Sequence, residues 1–250
     1  MEVHKHPHHV THKKKWGEYL LEFFMLFLAV FLGFVAENIR EHQVEIKRER
    51  EYIYSLVEDL KIDQHVLSQH ISELQAGILM MDTMTTILNS PSLIANNSAD
   101  LYYLARLAPR LQPLPINDKT LEQLRNSGNF RLIKNIKVSN KIMDYYKKIP
   151  LVRLLESVNE EEFTQYKSVA AKIFYSDIFI KSEGNGSAIK RLSGNLPLRN
   201  TDIELLQELS VFAVYMHGTK KGILDSDEQI KKSGSELIEY LEQEYHLQNE

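Results

Sequence analysis

The chain has 250 residues, 43% of them hydrophobic and 26% charged, and a formal net charge of −4. That length supports one sizeable core or two small ones, and the mildly acidic balance excludes the basic excess expected of a nucleic-acid binder. Cysteine is absent, which excludes disulfides, thiolate zinc sites and thiol nucleophiles without fixing a compartment; the low counts of glycine (10) and proline (7) suit a helical protein.

Residues 1–18 read as a His/Lys-rich tail. His4, His6, His8, His9 and His12 are its most unusual feature, because neutral imidazoles bind zinc, copper or nickel. No carboxylate or thiol beside them completes a defined geometry, so they are weak metal candidates, and the tail is read as a solvated, weakly positive segment near a membrane surface.

Residues 19–36 read as a transmembrane helix. The run LLEFFMLFLAVFLGFVA, residues 20–36, holds a single charge, Glu22. At 1.5 Å per residue it spans roughly 26 Å, slightly short of a hydrocarbon core about 30 Å thick. Trp16 and Tyr19 precede it where amphipathic rings sit among headgroups. A buried helix of a soluble protein would be apolar on one stripe, and this run is apolar all round. A cleaved signal peptide needs a small residue two positions before the cut, which Phe34-Val35-Ala36 lacks, so an uncleaved signal-anchor is expected. Lys13, Lys14 and Lys15 crowd the amino side, whereas Arg40 stands alone in the first ten residues beyond. By the positive-inside rule the amino terminus lies in the cytoplasm and the large domain outside it. In a Gram-negative cell this means an inner-membrane protein with a periplasmic C-terminal domain.

The stretch KKWGEYLLEFFMLFLAVFLGFVAENIREH, residues 14–42, resembles the amino-terminal signature of an uncharacterised single-span membrane protein family from Bacteroidota bacteria. The entry from Trp16 to Tyr19 and the exit ENIREH carry the likeness, and LEQLRNSGNFRLI and Tyr145-Tyr146 extend it more loosely. The resemblance implies topology and bacterial origin, and no activity.

Residues 37–90 read as one long amphipathic helix. Ile39, Ile46, Ile53, Leu60, Leu67, Leu74 and Met81 recur at intervals of seven, the mark of a helix packed along one seam. The partner positions are mixed: Leu56, Val57, Ile71 and Ile78 are apolar, but Glu49, Arg50, Asp63 and Gln64 are not. This favours a helix within an intramolecular bundle over a stable two-stranded zipper, with a self-associating stalk as the other reading.

Residues 91–250 read as a helical domain packing with 37–90. Asn89-Ser90-Pro91 ends the long helix and a polar linker follows. Ser98 is expected to cap a short helix carrying Leu101, Leu104 and Leu107; Pro109, Pro113 and Pro115 hold an extended connection; and Asp118 caps a helix that ends at Ser127-Gly128-Asn129. An amphipathic helix is expected over 130–149. Another opens at Pro150 and runs to about Ile180, and a loop rich in Gly, Ser and Asn covers 181–200. Thr201 with Glu204 forms a capping box for a helix to about Gly218. Ser226 or Ser233 begins a last helix that buries Ile230, Leu237 and Leu241. The expected fold class is all-α: a single N-terminal transmembrane helix continuing into a long amphipathic helix, followed by a helical bundle.

Lys134, Lys137, Lys141 and Lys148 fall at helical spacing and read as one basic stripe, a possible contact for anionic lipid or an acidic partner. The plainer reading is a solvated helix face. Tyrosines such as Tyr102, Tyr145 and Tyr146 read as core-edge residues, and the acidic pairs Glu160 to Glu162 and Asp225 with Asp227 as wet helix faces. No P-loop, HExxH, complete nucleophile elbow or dinucleotide fingerprint occurs, so no catalytic residue, cofactor or enzymatic activity is expected. The expected partners are the bilayer and a protein partner or second copy, with no nucleic acid. The expected function is a membrane-anchored helical partner-binding or scaffold protein of the bacterial envelope. The alternative is a ligand-sensing extracytoplasmic bundle acting through a membrane partner, which requires an internal pocket with convergent polar groups.

Overall fold

The computed structural model describes residues 15–186 and 188–247. Among these the chain is all-α, with no strand and one isolated antiparallel bridge between Glu183 and Ile189. It divides into two compact units, Met1–Glu51 and Tyr52–Glu250. Helix α1 (Trp16–Leu88) contributes to both.

In the first unit, α1 carries the one stretch among the described residues that is long and apolar enough to cross a membrane. Its side chains have no protein to cover them: Phe23, Leu26 and Phe34 are 62%, 68% and 73% exposed. Phe23, Phe27 and Phe31, four residues apart, stack in a ladder with ring centroids 6.3 and 6.1 Å apart. In water such a surface is strongly unfavourable; in hydrocarbon it is the ordinary exterior of a spanning helix.

The second unit is built on three long helices: residues 52–88 of α1, α6 (Ile149–Ile173) and α8 (Ile203–Glu244). Alternate chain direction follows from the pairs that meet. Asn89 faces Ser210, His70 faces Asp227 and Lys61 faces Glu242, so α8 runs antiparallel to α1. Around them pack α2 (Pro91–Asn96), α3 (Ser98–Leu107), α4 (Lys119–Asn126), a 3-10 turn (Asn129–Leu132), α5 (Ile136–Tyr146) and α7 (Ser176–Lys181).

The seven-residue repeat becomes core from Ile53 onward. Ile53, Leu60, Leu67 and Met81 are fully buried, whereas Ile39 and Ile46 are exposed. Two apolar clusters form. One joins Ile53 to Leu74 of α1 with α5 and the C-terminal half of α8; the other joins the end of α1 with α3, α6 and the first turns of α8. Between and within them lie buried charges: Asp63, His70, Lys220 and Asp227.

Several boundaries differ from the sequence expectation. The polar linker after Ser90 contains α2, started by Pro91 at its first turn, where proline's missing N–H is harmless. Ser98 caps nothing; its hydroxyl donates to Asn195 Oδ1 (2.8 Å) and accepts from Leu196 N (2.7 Å), pinning the distant loop. Asp118 stands at the cap position of α4 without a side-chain cap bond. The helix expected over 130–149 divides into the 3-10 turn and α5, because Asn135 accepts from Lys137 N and starts a new helix there. Helix α6 stops at Ile173, not Ile180, where Phe174 turns extended and α7 begins. The cap of α8 is Asp202, accepting from Glu204 N at 3.0 Å, in place of Thr201. Finally, α8 is one helix through Gly218, Gly222 and Gly234, where two were expected.

Two of those glycines, Gly222 and Gly234, lie against neighbouring side chains, whereas Gly218 has none within 4 Å. A Cβ at Gly234 would collide with the Gln64 amide and lie 3.2 Å from the Tyr145 ring. A Cβ at Gly222 would rest 3.5 Å from Leu155 of α6. At Gly234, then, the missing side chain permits close approach between helices, a packing role that outweighs the roughly 1 kcal/mol helix penalty of glycine.

Candidate functional site

Two features stand out, a buried polar network and an aromatic cleft, and the connection between α3 and α4 joins them. Pro109, Pro113 and Pro115 keep this strap extended, as their fixed φ requires. An extended strap has no helical partners for its backbone, so buried side chains of the bundle supply them. Lys220 Nζ donates to the Arg110 carbonyl (2.6 Å), and Glu156 Oε1 accepts from Leu114 N (2.7 Å). Asp63 Oδ1 accepts from Asn117 N (2.8 Å). Asp59 takes the Asn117 amide (2.7 Å) and the Thr120 hydroxyl (2.5 Å), fixing the entry to α4.

His70 bridges strap and core. Its Nε2 lies 2.7 Å from the Gln112 carbonyl, which only accepts, so Nε2 carries a proton. Its Nδ1 lies 2.6 Å from Asp227 Oδ2, with both side chains buried. Burial opposes a charge on the ring, but the bond to Asp227, its carboxylate charge and the Gln112 carbonyl together raise the pKa of His70 above its ordinary value. Burial pushes the Asp227 carboxyl up as well, and one proton is shared between His70 Nδ1 and Asp227 Oδ2 inside the bundle. Lys220 has no carboxylate partner among the described residues, and burial lowers its pKa to about 8. A cavity of about 150 Å³ lies among His70, Glu73, Arg110 and Lys220.

The second feature is a cleft of about 690 Å³. Phe163, Tyr166, Phe174, Tyr175 and Phe179 give it an apolar, aromatic surface, and Ala105, Ala170 and Ala171 leave room between them. Four cations border it, Arg106, Arg110, Lys167 and Arg199, and among the described residues no acidic side chain lines it. Each wall is held from behind. The Tyr102 hydroxyl donates to the Pro197 carbonyl (2.8 Å) and accepts from Tyr175 N (3.0 Å). The Tyr166 hydroxyl donates to the Ala105 carbonyl (3.3 Å). Arg199 donates to the Ala171 carbonyl (3.1 Å) at the end of α6, where cations are favoured. Arg106 lies 5.3 Å from the Phe179 ring centre and Lys167 lies 4.5 Å from that of Phe163. Arg110 also borders a groove of about 480 Å³ with Arg153, Glu156 and Glu160.

The four lysines read as a stripe are not on one helix. Lys134 lies between the 3-10 turn and α5, Lys137 and Lys141 are on α5, and Lys148 stands at the start of α6. Lys141 and Lys148 share a cavity of about 180 Å³ with Asp144 and Glu236; Lys134 and Lys137 do not line it. Lys141 covers the Tyr240 ring at 4.6 Å, and Lys148 donates to the Ser233 hydroxyl. His4, His6, His8, His9 and His12 lie outside the described residues. Among the described residues no three metal-ligating side chains come together.

Asp227, expected on a wet face, is fully buried, whereas Asp225 is exposed. A signal for it was present: Asp227 sits in register with Ile223 and Ile230, and His70 with Leu67 and Leu74. Charged residues inside an apolar stripe pointed to buried pairing. The cleft had no such signal, since its residues come from three separated stretches, 105–110, 163–179 and Arg199.

No family model, curated protein or solved structure matches the chain.

Proposed function

We propose that this chain is a single-pass protein of the bacterial cell envelope whose helical bundle works by binding, not by catalysis, on a membrane tether. The observation that carries the reading is the apolar stretch of α1, uncovered on every side. Its lysine-rich flank supports an amino terminus in the cytoplasm, with residues 37–250 on the periplasmic side of the inner membrane. The resemblance of residues 14–42 supports the bacterial assignment. Tethering confines the bundle to a thin layer and raises its effective concentration for other membrane components.

Two versions follow from the sequence: a partner-binding scaffold, and a bundle that senses a ligand and acts through a membrane partner. The aromatic cleft with its cations favours the second, since it is concave, largely apolar and edged by a few convergent polar groups. Exposed Ile39 and Ile46 continue the seven-residue repeat beyond the core and offer a seam for a protein partner or a second copy.

Alkaline phosphatase fused after Glu250, which is active only outside the cytoplasm, tests the orientation. High activity there, and none from a cytoplasm-dependent reporter at the same point, is expected. The reverse pattern would place the bundle in the cytoplasm.

A further inference from the structure

We infer that the cleft between α3, α6 and α7 is a binding site for a small organic anion with an apolar body, a carboxylate or phosphate ester carried on an aromatic or short acyl group. The inference deepens the ligand-binding reading above and rests on it.

Charge and shape point the same way. Four cations border one concavity while no carboxylate of the described residues lines it, although acidic residues outnumber basic ones in the chain, 34 to 30. Like charges gathered on one wall repel one another, so an anion entering the cleft relieves that repulsion as well as gaining its own attraction. Arg106 meets a carboxylate only at 3.9 Å, in Glu183, which is itself largely exposed. The Arg110 guanidinium has no hydrogen bond or ion pair among the described residues. Arginine forks match the planar oxygens of carboxylate and phosphate, which makes these two groups the natural head of the ligand.

The body of the ligand is set by the walls. Five aromatic rings and three alanines present flat apolar surface, and burying a ring or acyl chain there adds the hydrophobic term that a bare inorganic anion lacks. A volume of about 690 Å³ lies in the range of sites for single small molecules. A diacyl lipid is too large to enter whole, which favours a free molecule as the occupant over a bilayer lipid reaching in with its headgroup, and the titration below separates the two.

The test is calorimetric titration of the full chain in nanodiscs of zwitterionic lipid, with empty discs as reference. The probes are 2-naphthoate, 2-naphthyl phosphate and the neutral 2-naphthylmethanol. The anions are expected to bind saturably with one site per chain, and the neutral analogue about tenfold or more weakly. Arg106→Ala and Arg110→Ala are each expected to weaken anion binding about tenfold with unchanged circular dichroism. Ala171→Trp, at an exposed position on the cleft wall, should abolish binding by filling it. Lys221→Ala, exposed on α8 and away from the cleft, should change nothing.

Equal binding of the neutral analogue would overturn the anion assignment while leaving a ligand-binding bundle. Absence of binding by all three probes would overturn both. Anion binding indifferent to Arg106→Ala, Arg110→Ala and Ala171→Trp would place the site elsewhere. Competition that appears in discs of anionic lipid and vanishes in Arg110→Ala would identify the occupant as a lipid headgroup and overturn the assignment to a free molecule. None of these outcomes bears on the tether, which is measured separately.

Discussion

Asp63 shows how a single buried group sets a pH dependence. It is fully buried on α1, and burial pushes its carboxyl up from 3.8 to about 6, against the Asn117 N–H bond and reinforced by the charge of Asp59. A carboxyl whose folded pKa is raised holds its proton longer in the native state. Stability from this group is therefore greatest below about pH 4 and declines as pH rises toward 6. The two-unit difference corresponds to about 3 kcal/mol as an upper figure. Asp63→Asn keeps an oxygen for Asn117 and removes the charge. Urea unfolding should find the variant more stable than the parent at pH 7 by on the order of 1–3 kcal/mol, and equal to it near pH 4. The same difference at both pH values would mean that Asp63 is ionised without penalty. Reading the sequence, Asp63 was an interruption in an apolar seam. The structure makes it one of the side chains that hold the strap, and only tertiary contact with Asn117, 54 residues away, reveals that.

At the scale of the element, the glycines of α8 separate propensity from packing. Gly218 has nothing within 4 Å of where a Cβ would lie, so Gly218→Ala should stabilise the bundle by about 1 kcal/mol through helix propensity alone. Gly234→Ala gains the same propensity but meets Gln64 and the buried Tyr145 ring, so it should fall at least about 1 kcal/mol below Gly218→Ala in thermal unfolding. Equal effects would show that Gly234 is not a point of close approach. Most helices were legible because their apolar residues keep helical period, as Ile230, Leu237 and Leu241 do. Their ends were less so. Asp202 and Asn135 cap through bonds two residues ahead, which nearby Thr201 and an amphipathic pattern continuing across 130–149 concealed. Glycine read as a stop signal misled at Gly218, since nothing in the local sequence distinguishes a terminating glycine from one tolerated inside a helix held by its neighbours.

For the molecule as a whole, two different apolar patterns are written into one helix. Residues 20–36 are apolar on all faces, and from Ile53 the apolar positions narrow to a stripe that the bundle covers. That change of pattern was visible in the sequence, as was the all-α class. The cleft was not, because Arg106, Lys167, Phe179 and Arg199 are brought together only by the return of α6 and the loop before α8. The tether is the claim on which the proposed role stands. Its most direct measurement is an alkaline carbonate wash of membranes from cells making the full chain, followed by detergent. The chain is expected to stay in the membrane pellet through the carbonate and to enter solution only with detergent. Release into the carbonate supernatant would contradict a spanning helix.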